Sequence, residues 1–572
     1  MNVFRSTVFA LFAIGIALGR AAADTPVAVG LFSAPVRVER AGSAFDETQG
    51  NAAELISGGY DALLLRIHLI RQARESIEIQ TFIWSNDECG RLMIYELIEA
   101  ARRGVQVRII ADHMASDQDP AIVAFLATVH PNFKVRHYRP VMALIKPSVW
   151  QTLWTGLRSF RGINQRMHNK LMVVDDAVMI TGGRNIENTY FDHANGLNFR
   201  DRDVLAVGPV VKAAKVSFDA FWNFKEVVAG EDLADVAALI EQGHFARYAK
   251  RADYDFGGYF DDLNREADDL DLIRARFVDR LHPVDSVRLI VDVPGKSVGI
   301  FRHDSRITRE LRSMASEAKQ SILMQTPYLI VSPAARRLVR NLRDKNPDLS
   351  IRISSNSFAS TDNILAYSAN YRMRGLYVDD LKLQIYEYKP HPANQARVFA
   401  RYDEVAKLRA TKNPAAPPPY LCVHAKSVVV DDRVAFVGSY NLDPRSEKLN
   451  TEIGLIIEDA RFARALRDEI EEDMRPENSW VIGRRKMPLP VAAVNTLVDG
   501  VLSLSPLDLW PIQNTSSFEL RPNMPAVPTG HPDFYRNYRE IGSFPGTESR
   551  FTMKEALTRL YKAVGTPITP VL

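Results

Sequence analysis

Two histidine and lysine pairs stand at the start of closely similar stretches of this chain. The first pair is His168 with Lys170, and the second is His424 with Lys426. Side chains on an extended strand alternate between two faces, so each histidine shares a face with its lysine. A lysine supplies positive charge to a phosphate, and a histidine can attack phosphorus or carry a proton. The two pairs therefore predict phosphoryl chemistry.

The stretches that contain these pairs match along their whole length. Residues 166–185 read RMHNKLMVVDDAVMITGGRN, and residues 422–441 read CVHAKSVVVDDRVAFVGSYN. In each copy an apolar run, two Asp residues and a second apolar run predict a β-hairpin. One His-x-Lys pair would carry little weight, because chance produces it often. A duplicated pattern is strong evidence for a functional site.

Other polar residues of the hairpins are further candidates. By parity, Asp175 and Asp431 face away from the lysines of their own copies. We therefore interpret these two motif residues as struts of the hairpin turn rather than as catalytic acids. The glycine-containing turns allow the main chain to approach a ligand, and asparagines donate neutral hydrogen bonds. These phosphate-binding candidates are Gly183, Ser439, Asn185 and Asn441.

An acidic residue follows each hairpin in a comparable context. These residues are Asp203 in RDRDVLAVG and Glu452 in LNTEIGLII. A carboxylate bonded to one imidazole nitrogen fixes the tautomer and makes the other nitrogen more basic. We predict that Asp203 and Glu452 orient the histidines, with Asp201 as a weaker candidate. The alternative is a surface acid at the start of a strand.

The two H-x-K-x4-D motifs, each followed by G-(G/S)-x-N, make the sequence resemble the phospholipase D superfamily. GSYNLDPRS, residues 438–446, resembles its cardiolipin synthase branch. The resemblance covers about residues 46–474. It implies an α/β fold of two tandem lobes, each a mixed β-sheet flanked by helices. A pseudo-two-fold axis would relate the lobes and place the active site at their seam.

The same resemblance implies a phosphodiesterase or phosphatidyltransferase that acts on phospholipids through a phosphohistidine. It makes His168 the nucleophile and His424 the acid and base. Water or an alcohol such as phosphatidylglycerol would be the acceptor. Residues that would hold the nonbridging oxygens are Lys170, Lys426, Asn185 and Asn441.

Other functions are less well supported by the sequence. A nuclease of the same superfamily fits poorly, because 72 basic and 69 acidic side chains give a net charge of only +3. A non-enzymatic lipid-binding protein would be expected to have lost a motif residue, and none is missing. No Cys/His cluster has zinc-ligand spacing, so we expect neither a metal nor a cofactor. The lipid headgroup and the oligomeric state are not predictable from the sequence.

Helices and strands alternate in the same order in both halves of the chain, which favours a mixed sheet covered by helices. Helices are predicted over 60–74, 91–103, 307–319 and 334–343, and strands over 77–84, 105–111, 133–138, 322–331 and 349–354. The predicted division is a first lobe at 45–235, a linker at 236–300, a second lobe at 301–475 and a C-terminal extension at 476–572.

The first 23 residues have the features of a signal peptide. Arg5 precedes an apolar run at 8–18, and Ala21-x-Ala23 fits a cleavage site before Asp24. We therefore expect an exported, periplasmic protein peripheral to a membrane. Secretion, or anchoring by an uncleaved segment, are alternatives, although the run is shorter than the ~20 residues of a spanning helix. Export permits a disulfide between Cys89 and Cys422, and two free buried thiols are the alternative.

Two segments combine features of membrane-surface binding. Residues 139–166 contain five Lys or Arg residues and no acid, together with Trp150, Trp154 and Phe160. Residues 491–502 carry an apolar stripe at helical spacing, and 507–510 are also largely apolar. An anionic lipid surface would suit both segments. Core aromatics in the first segment, and packing of the second against its lobe, are the alternatives.

Overall fold

A computed structural model of the chain describes residues 50–158, 163–243, 245, 259–296, 305–486 and 514–547. The predicted signal peptide and the predicted apolar stripe at 491–502, with 507–510, lie outside these residues. Among the helices of the described part, none is long and apolar enough to cross a membrane. Cys89 and Cys422 are both buried and unpaired.

The first lobe is built on a nine-stranded sheet. The strands of this lobe are β1 Asn51–Ile56, β2 Ser76–Thr81, β3 Gln106–Asp112, β4 Phe133–Tyr138, β5 Leu171–Val174, β6 Val178–Gly182, β7 Leu197–Arg200, β8 Asp203–Val207, β9 Val227–Ala229 and β10 His282–Val284. Their order across the sheet is β10-β1-β8-β6-β5-β2-β3-β4-β9, and β7 lies outside the sheet. β2, β3 and β4 are parallel, and the other neighbours are antiparallel.

The second lobe is built on a ten-stranded sheet. The strands of this lobe are β11 Ser286–Val291, β12 Ser321–Gln325, β13 Ser350–Asn356, β14 Gln384–Tyr388, β15 Tyr420–Val423, β16 Lys426–Val430, β17 Val434–Gly438, β18 Ile453–Glu458, β19 Ser479–Arg484, β20 Thr515–Leu520 and β21 Tyr538–Gly542. Their order across the sheet is β11-β18-β17-β16-β12-β13-β14-β19-β20-β21, and β15 lies outside the sheet. β12, β13 and β14 are again the parallel strands.

The two sheets repeat one strand order. The series β1-β8-β6-β5-β2-β3-β4-β9 corresponds strand by strand to β11-β18-β17-β16-β12-β13-β14-β19. In both series the motif hairpin lies beside the first of the three parallel strands. The prediction of two tandem mixed-sheet lobes is confirmed. Outside both sheets, β7 of the first lobe pairs in parallel with β15 of the second.

Helices cover the sheets. The longer ones are Gly59–Gln72, Glu88–Arg102, Pro120–Thr128, Val149–Arg158, Val210–Trp222, Ala234–Gln242 and Tyr259–Asp268, followed by Arg306–Ser316, Pro333–Lys345, Ile364–Gly375, Tyr402–Lys412 and Ala460–Met474. The predicted helices and strands all occur. The strands predicted at 77–84 and 322–331 end earlier than expected, at Thr81 and Gln325.

One apolar core is shared by both lobes. It contains Met179 and Val204 from the first sheet, Val437 and Leu455 from the second, and residues of the helices Val210–Trp222 and Ala460–Met474. Each lobe also has a separate outer core under its other helices. Because the shared core is continuous, the seam between the lobes is a packed interior.

The predicted domain boundaries need correction at the linker and at the C-terminal extension. β10 and β11 both lie in the predicted linker, and β11 is an edge strand of the second sheet. The helix Tyr259–Asp268 lies there too and packs on the first lobe. β19, β20 and β21 lie in the predicted extension, and they continue the second sheet.

Candidate active site

The two hairpins carry their His and Lys side chains into the interior. β5 and β6 form the first hairpin, and β16 and β17 form the second. His168, Lys170, His424 and Lys426 are all buried. Lys170 Nζ donates to the His168 carbonyl at 2.8 Å, and Lys426 Nζ donates to the His424 carbonyl. Each lysine therefore lies against its own histidine.

Main-chain hydrogen bonds tie each motif to the opposite lobe. The His168 N–H donates to the Thr451 carbonyl at 3.0 Å, and the Thr451 N–H donates to the Arg166 carbonyl at the same distance. In the second motif, the His424 N–H donates to the Arg200 carbonyl at 2.8 Å, at the end of the ladder between β15 and β7. Both histidines therefore lie at the seam between the lobes.

Each histidine contacts a carboxylate from the other lobe. His168 Nδ1 lies 2.8 Å from Glu452 Oε2, and His424 Nδ1 lies 2.7 Å from Asp201 Oδ2. Both carboxylates are fully buried. A carboxylate at Nδ1 favours the tautomer with its proton on Nδ1, which leaves Nε2 for chemistry. The site thus contains two crossed His-carboxylate pairs.

Asp203, predicted to orient a histidine, does not contact either one. Its carboxylate accepts from Arg66 at 2.8 Å and lies 3.3 Å from Arg184. The prediction for Asp203 is therefore wrong, and Asp201 occupies the position. The prediction for Glu452 agrees with its contact to His168.

The pairing register explains the error. Gly182 of the first hairpin faces Asp203, whereas Gly438 of the second faces Gly454. Glu452 lies two residues before Gly454, and Asp201 lies two residues before Asp203. Asp201 is therefore the equivalent of Glu452. Asp201 and Asp203 have the same parity, so strand alternation could not separate them.

The environments of the two carboxylates differ. Burial raises the pKa of Glu452 to about 7, against the opposing effect of Lys170. Burial also acts on Asp201, but Lys426 and the hydrogen bond from His424 outweigh it and hold the pKa of Asp201 below its usual value. Asp201 is therefore ionised at neutral pH, whereas the pKa of Glu452 lies close to neutral pH.

Burial and neighbouring positive charge keep the imidazoles neutral. Burial, followed by Lys170 and Lys426, lowers the pKa of His168 well below its usual value. Burial and then Lys426 lower the pKa of His424. Burial likewise lowers the pKa of Lys170, and it lowers the pKa of Lys426 to about 8. Burial is the largest cause of all four shifts, because it disfavours the charged forms of these side chains.

Gly183 and Ser439 contact the carboxylates. A Cβ atom on Gly183 would lie 2.1 Å from Asp201 Oδ1, so only glycine fits there. Ser439 Oγ accepts from the Ile453 N–H at 3.0 Å and donates to Glu452 Oε2. The close approach that the glycine permits is therefore to the Asp201 carboxylate that contacts His424, rather than to the ligand that we expected.

The two asparagines differ in their contacts. Asn185 Nδ2 donates to the Tyr190 hydroxyl at 2.8 Å, and that hydroxyl lies 3.4 Å from His424 Nε2. Asn441 is also buried, and its Oδ1 has no hydrogen-bond partner in the described residues. Burial raises the pKa of Tyr190 well above its usual value, so the hydroxyl stays protonated.

Aromatic rings that sequence reasoning missed surround the imidazoles. Phe82 lies edge-on to His168 with centroids 4.9 Å apart, and Lys170 Nζ is 5.1 Å from the Phe82 centroid. Phe199 and Tyr190 lie 4.7 and 5.1 Å from the His424 ring. These rings exclude water and strengthen the electrostatic interactions. A signal for Phe82 existed, because it follows Gln80-Thr81 at the end of β2, and this pair recurs as Gln325-Thr326 in the second half of the chain.

Asp175 and Asp431 hold the turns, as strand parity predicts. Both have positive φ values, 52° and 50°, as do the Asp residues that follow them, which matches a two-residue hairpin turn. Asp175 accepts from the main-chain N–H groups of residues 74–76, and Asp431 accepts from those of residues 319–321. Both carboxylates join a hairpin to the neighbouring strand.

Further buried ion pairs hold the segments that carry the site. Asp112 accepts from the Arg166 side chain at 3.0 Å and from the Met167 N–H at 2.9 Å. Arg200 and Arg202, which flank Asp201, both bond to Asp473 of the second lobe. These pairs fix the main chain beside His168 and on either side of Asp201.

Comparison with known proteins identifies the family. The family model described as cardiolipin synthase, PLD-like domain, matches residues 66–222 and 311–474, one match in each lobe. The protein belongs to this phospholipase D-like family. It is 30% identical over 410 residues to cardiolipin synthase C of Escherichia coli K12, over 71% of this chain and 81% of that protein.

Other relatives extend the comparison. This phospholipase D-like protein is 28% identical over 487 residues to an uncharacterized protein of Helicobacter pylori, over 84% of this chain and 90% of that one. It is 25% identical over 434 residues to the major cardiolipin synthase of Bacillus subtilis, over 75% and 70% of the two chains. The fold resembles phosphatidylserine synthase of Haemophilus influenzae, with a TM-score of 0.50, 14% identity and coverage of 79% and 93%.

Proposed function

We propose that this protein transfers phosphatidyl groups from a phospholipid to water or to an alcohol such as phosphatidylglycerol, through a phosphohistidine. One observation carries the proposal: two neutral imidazoles, each with a carboxylate at Nδ1 and a lysine beside it, lie at one buried seam. The relatives named as cardiolipin synthases support a lipid alcohol as the acceptor.

In the first step, His168 Nε2 attacks the phosphodiester phosphorus. A P–N bond forms, the P–O bond to the departing alcohol breaks, and His424 Nε2 gives that alcohol its proton. Glu452 accepts the Nδ1–H of the phosphorylated ring and stabilises its positive charge. Lys170 and Lys426 hold the nonbridging oxygens as negative charge builds on them.

In the second step, neutral His424 removes a proton from the incoming water or alcohol. The new P–O bond forms, the P–N bond breaks, and His168 returns to its neutral form. Water gives phosphatidic acid, and phosphatidylglycerol gives cardiolipin when the donor is a phosphatidyl lipid. The same residues serve both reactions, so the acceptor alone decides the product.

The two carboxylates support this division of roles. Ionised Asp201 stabilises the protonated imidazole that a general acid needs, and it lies on His424. A bound phosphodiester would oppose the effect of Lys426 and raise the pKa of His424, so that the protonated form is populated in the complex. His168 has a pKa well below its usual value, which suits a nucleophile with a free electron pair.

Product analysis tests this proposal. The purified protein would be incubated with defined phospholipids, with and without phosphatidylglycerol, and with single-stranded DNA as a separate substrate. We expect phosphatidic acid or cardiolipin, and no DNA cleavage. DNA cleavage without lipid turnover would assign the site to a nuclease, and lipid binding without any product would show a non-enzymatic role.

A further inference from the structure

Five exposed large apolar side chains lie together in one short stretch of the first lobe. They are Met142, Val149, Trp150, Leu153 and Trp154, and Trp150 has 80% of its surface exposed. We call this stretch, residues 142–158, the tryptophan face. The core alternative for its two tryptophans is thereby excluded. A soluble protein seldom exposes so many large apolar side chains together without a partner.

The helix of the tryptophan face is inverted relative to an ordinary surface helix. Val149, Trp150, Leu153 and Trp154 follow helical spacing on one exposed side. Polar Gln151, Thr152 and Thr155 are half-buried. A helix that packs on a protein core presents its apolar side to that core, but this one turns it outward.

Specific hydrogen bonds hold this exposed segment in place. Ser148 Oγ accepts from the Gln151 N–H at 3.3 Å, and Gln151 Oε1 accepts from the Ser148 N–H at 2.7 Å, which makes a capping box. Before it, Asp235 accepts from the Ile145 and Lys146 N–H groups at 2.9 Å each. The apolar side chains are therefore presented by fixed main chain.

The charged side chains of the segment that carries the tryptophan face are all basic. Lys146 and Arg158 are exposed, and residues 139–166 contain no acid. The Arg158 guanidinium lies 4.8 Å from the Trp154 ring centroid. Tryptophan beside arginine and lysine is the composition that binds the headgroup region of an anionic bilayer.

The segment that carries the face begins and ends beside the active site. Arg139 Nη1 donates to Gln165 Oε1 at 2.6 Å, and Arg166 Nη2 donates to the Tyr138 carbonyl at 3.0 Å. These contacts close the base of the excursion two residues from His168. The base of the excursion therefore lies beside the seam.

We propose that the tryptophan face inserts into the headgroup region of an anionic phospholipid bilayer and so brings the seam to its substrate. The inference rests on the proposed function, because a lipid substrate gives the site a reason to meet a bilayer. Apolar area supplies part of the binding, and Lys146 and Arg158 supply an electrostatic part that salt weakens.

Binding to vesicles tests the proposal without requiring turnover. The double variant Trp150→Ser/Trp154→Ser would be compared with the full chain and with Leu408→Ser, a matched control that removes another exposed apolar residue, 48% exposed, from the helix Tyr402–Lys412. Cosedimentation would use vesicles of phosphatidylglycerol and vesicles of phosphatidylcholine. Turnover of a short-chain phospholipid below its micelle concentration would be measured in parallel.

We expect the double variant to bind phosphatidylglycerol vesicles about tenfold more weakly, and Leu408→Ser to bind as the unchanged chain does. The unchanged chain should prefer phosphatidylglycerol, and short-chain turnover should be equal in all three proteins. Unaltered vesicle binding by the double variant would overturn the proposal. So would a dimer of the unchanged chain that the double substitution converts to monomer, because a second copy would then cover the face. Vesicle binding that depends on the tryptophans, without turnover of any lipid, would refute the proposed function alone.

Discussion

Glu452 Oε2 lies 2.8 Å from His168 Nδ1, although 284 positions separate the two residues in the chain. Asp201 and His424 repeat the relationship in the opposite direction, at 2.7 Å. Each lobe therefore supplies the imidazole of one pair and the carboxylate of the other. Both pairs therefore depend on the packing of the two lobes against each other.

Asp201→Asn tests the assignment of the carboxylate at His424. Loss of the charged acceptor should lower turnover about 10²- to 10⁴-fold with little change in melting temperature. Asp203→Asn is the contrast, because it breaks buried contacts with Arg66 and Arg184. That variant should lose about 3 kcal/mol of unfolding free energy but retain turnover per folded molecule. Steady-state kinetics and thermal unfolding would be measured for both variants. Low turnover in Asp203→Asn, with normal turnover in Asp201→Asn, would restore Asp203 as the orienting acid.

His168→Ala and His424→Ala should each reduce turnover severely, since nucleophile and proton carrier act as a unit. With a phosphorus-labelled lipid and rapid quenching, His424→Ala should accumulate labelled protein, and His168→Ala should not. Label only in His168→Ala would reverse the two roles. Ordinary activity in both variants would end the proposed mechanism.

The pH dependence of turnover should be bell-shaped. Activity should rise as Glu452 ionises, near its pKa of about 7, because the carboxylate must accept the His168 Nδ1–H. It should fall as Lys426 loses its proton, near its pKa of about 8. Lys426→Arg, which keeps its charge, should move the alkaline limb to higher pH. An unchanged alkaline limb in that variant would remove Lys426 from the profile.

The raised pKa of Glu452 also affects stability. Between its usual value of 4.5 and about 7, the folded protein holds a proton that the unfolded chain has released. The contribution of Glu452 to the free energy of unfolding is therefore fully present below pH 4.5 and is lost as pH rises toward 7. Glu452→Gln should flatten this part of the curve of unfolding free energy against pH. An unchanged slope in denaturant titrations would show that Glu452 does not carry it.

The signal peptide prediction is tested by the mature N-terminus. We propose that the exported chain begins at Asp24, after Ala21-x-Ala23. Cell fractionation should place it outside the cytoplasm, and a high-salt wash should release part of it from membranes. A retained N-terminal segment that only detergent extracts would instead show an anchor.

Much of the fold could be predicted because the informative patterns are local. The period-two alternation places His168 with Lys170, and the Asp-Asp pairs mark hairpin turns whose φ values are positive. Duplication of these patterns gives the two lobes. The strands β19 to β21 were missed because their sequences, such as TSSFEL and YREIG, lack a regular apolar alternation.

The rest depended on register and orientation, which no local pattern contains. Asp201 and Asp203 lie on the same side of their segment, and only the pairing of β6 with β8 decides which one reaches His424. The composition of residues 139–166 likewise allows its tryptophans either in the core or at a membrane surface. Trp150 is exposed, whereas the polar Gln151, Thr152 and Thr155 of the same helix are half-buried.

Because each histidine contacts a carboxylate of the other lobe, we expect an isolated lobe to be inactive. It would hold one imidazole without its acid and one acid without its imidazole, and two such halves would have to meet in solution before either could act. Covalent fusion replaces that encounter with a fixed effective concentration, so dilution cannot separate the halves. Specific activity should consequently stay constant at enzyme concentrations at which a pair of free lobes would fall apart.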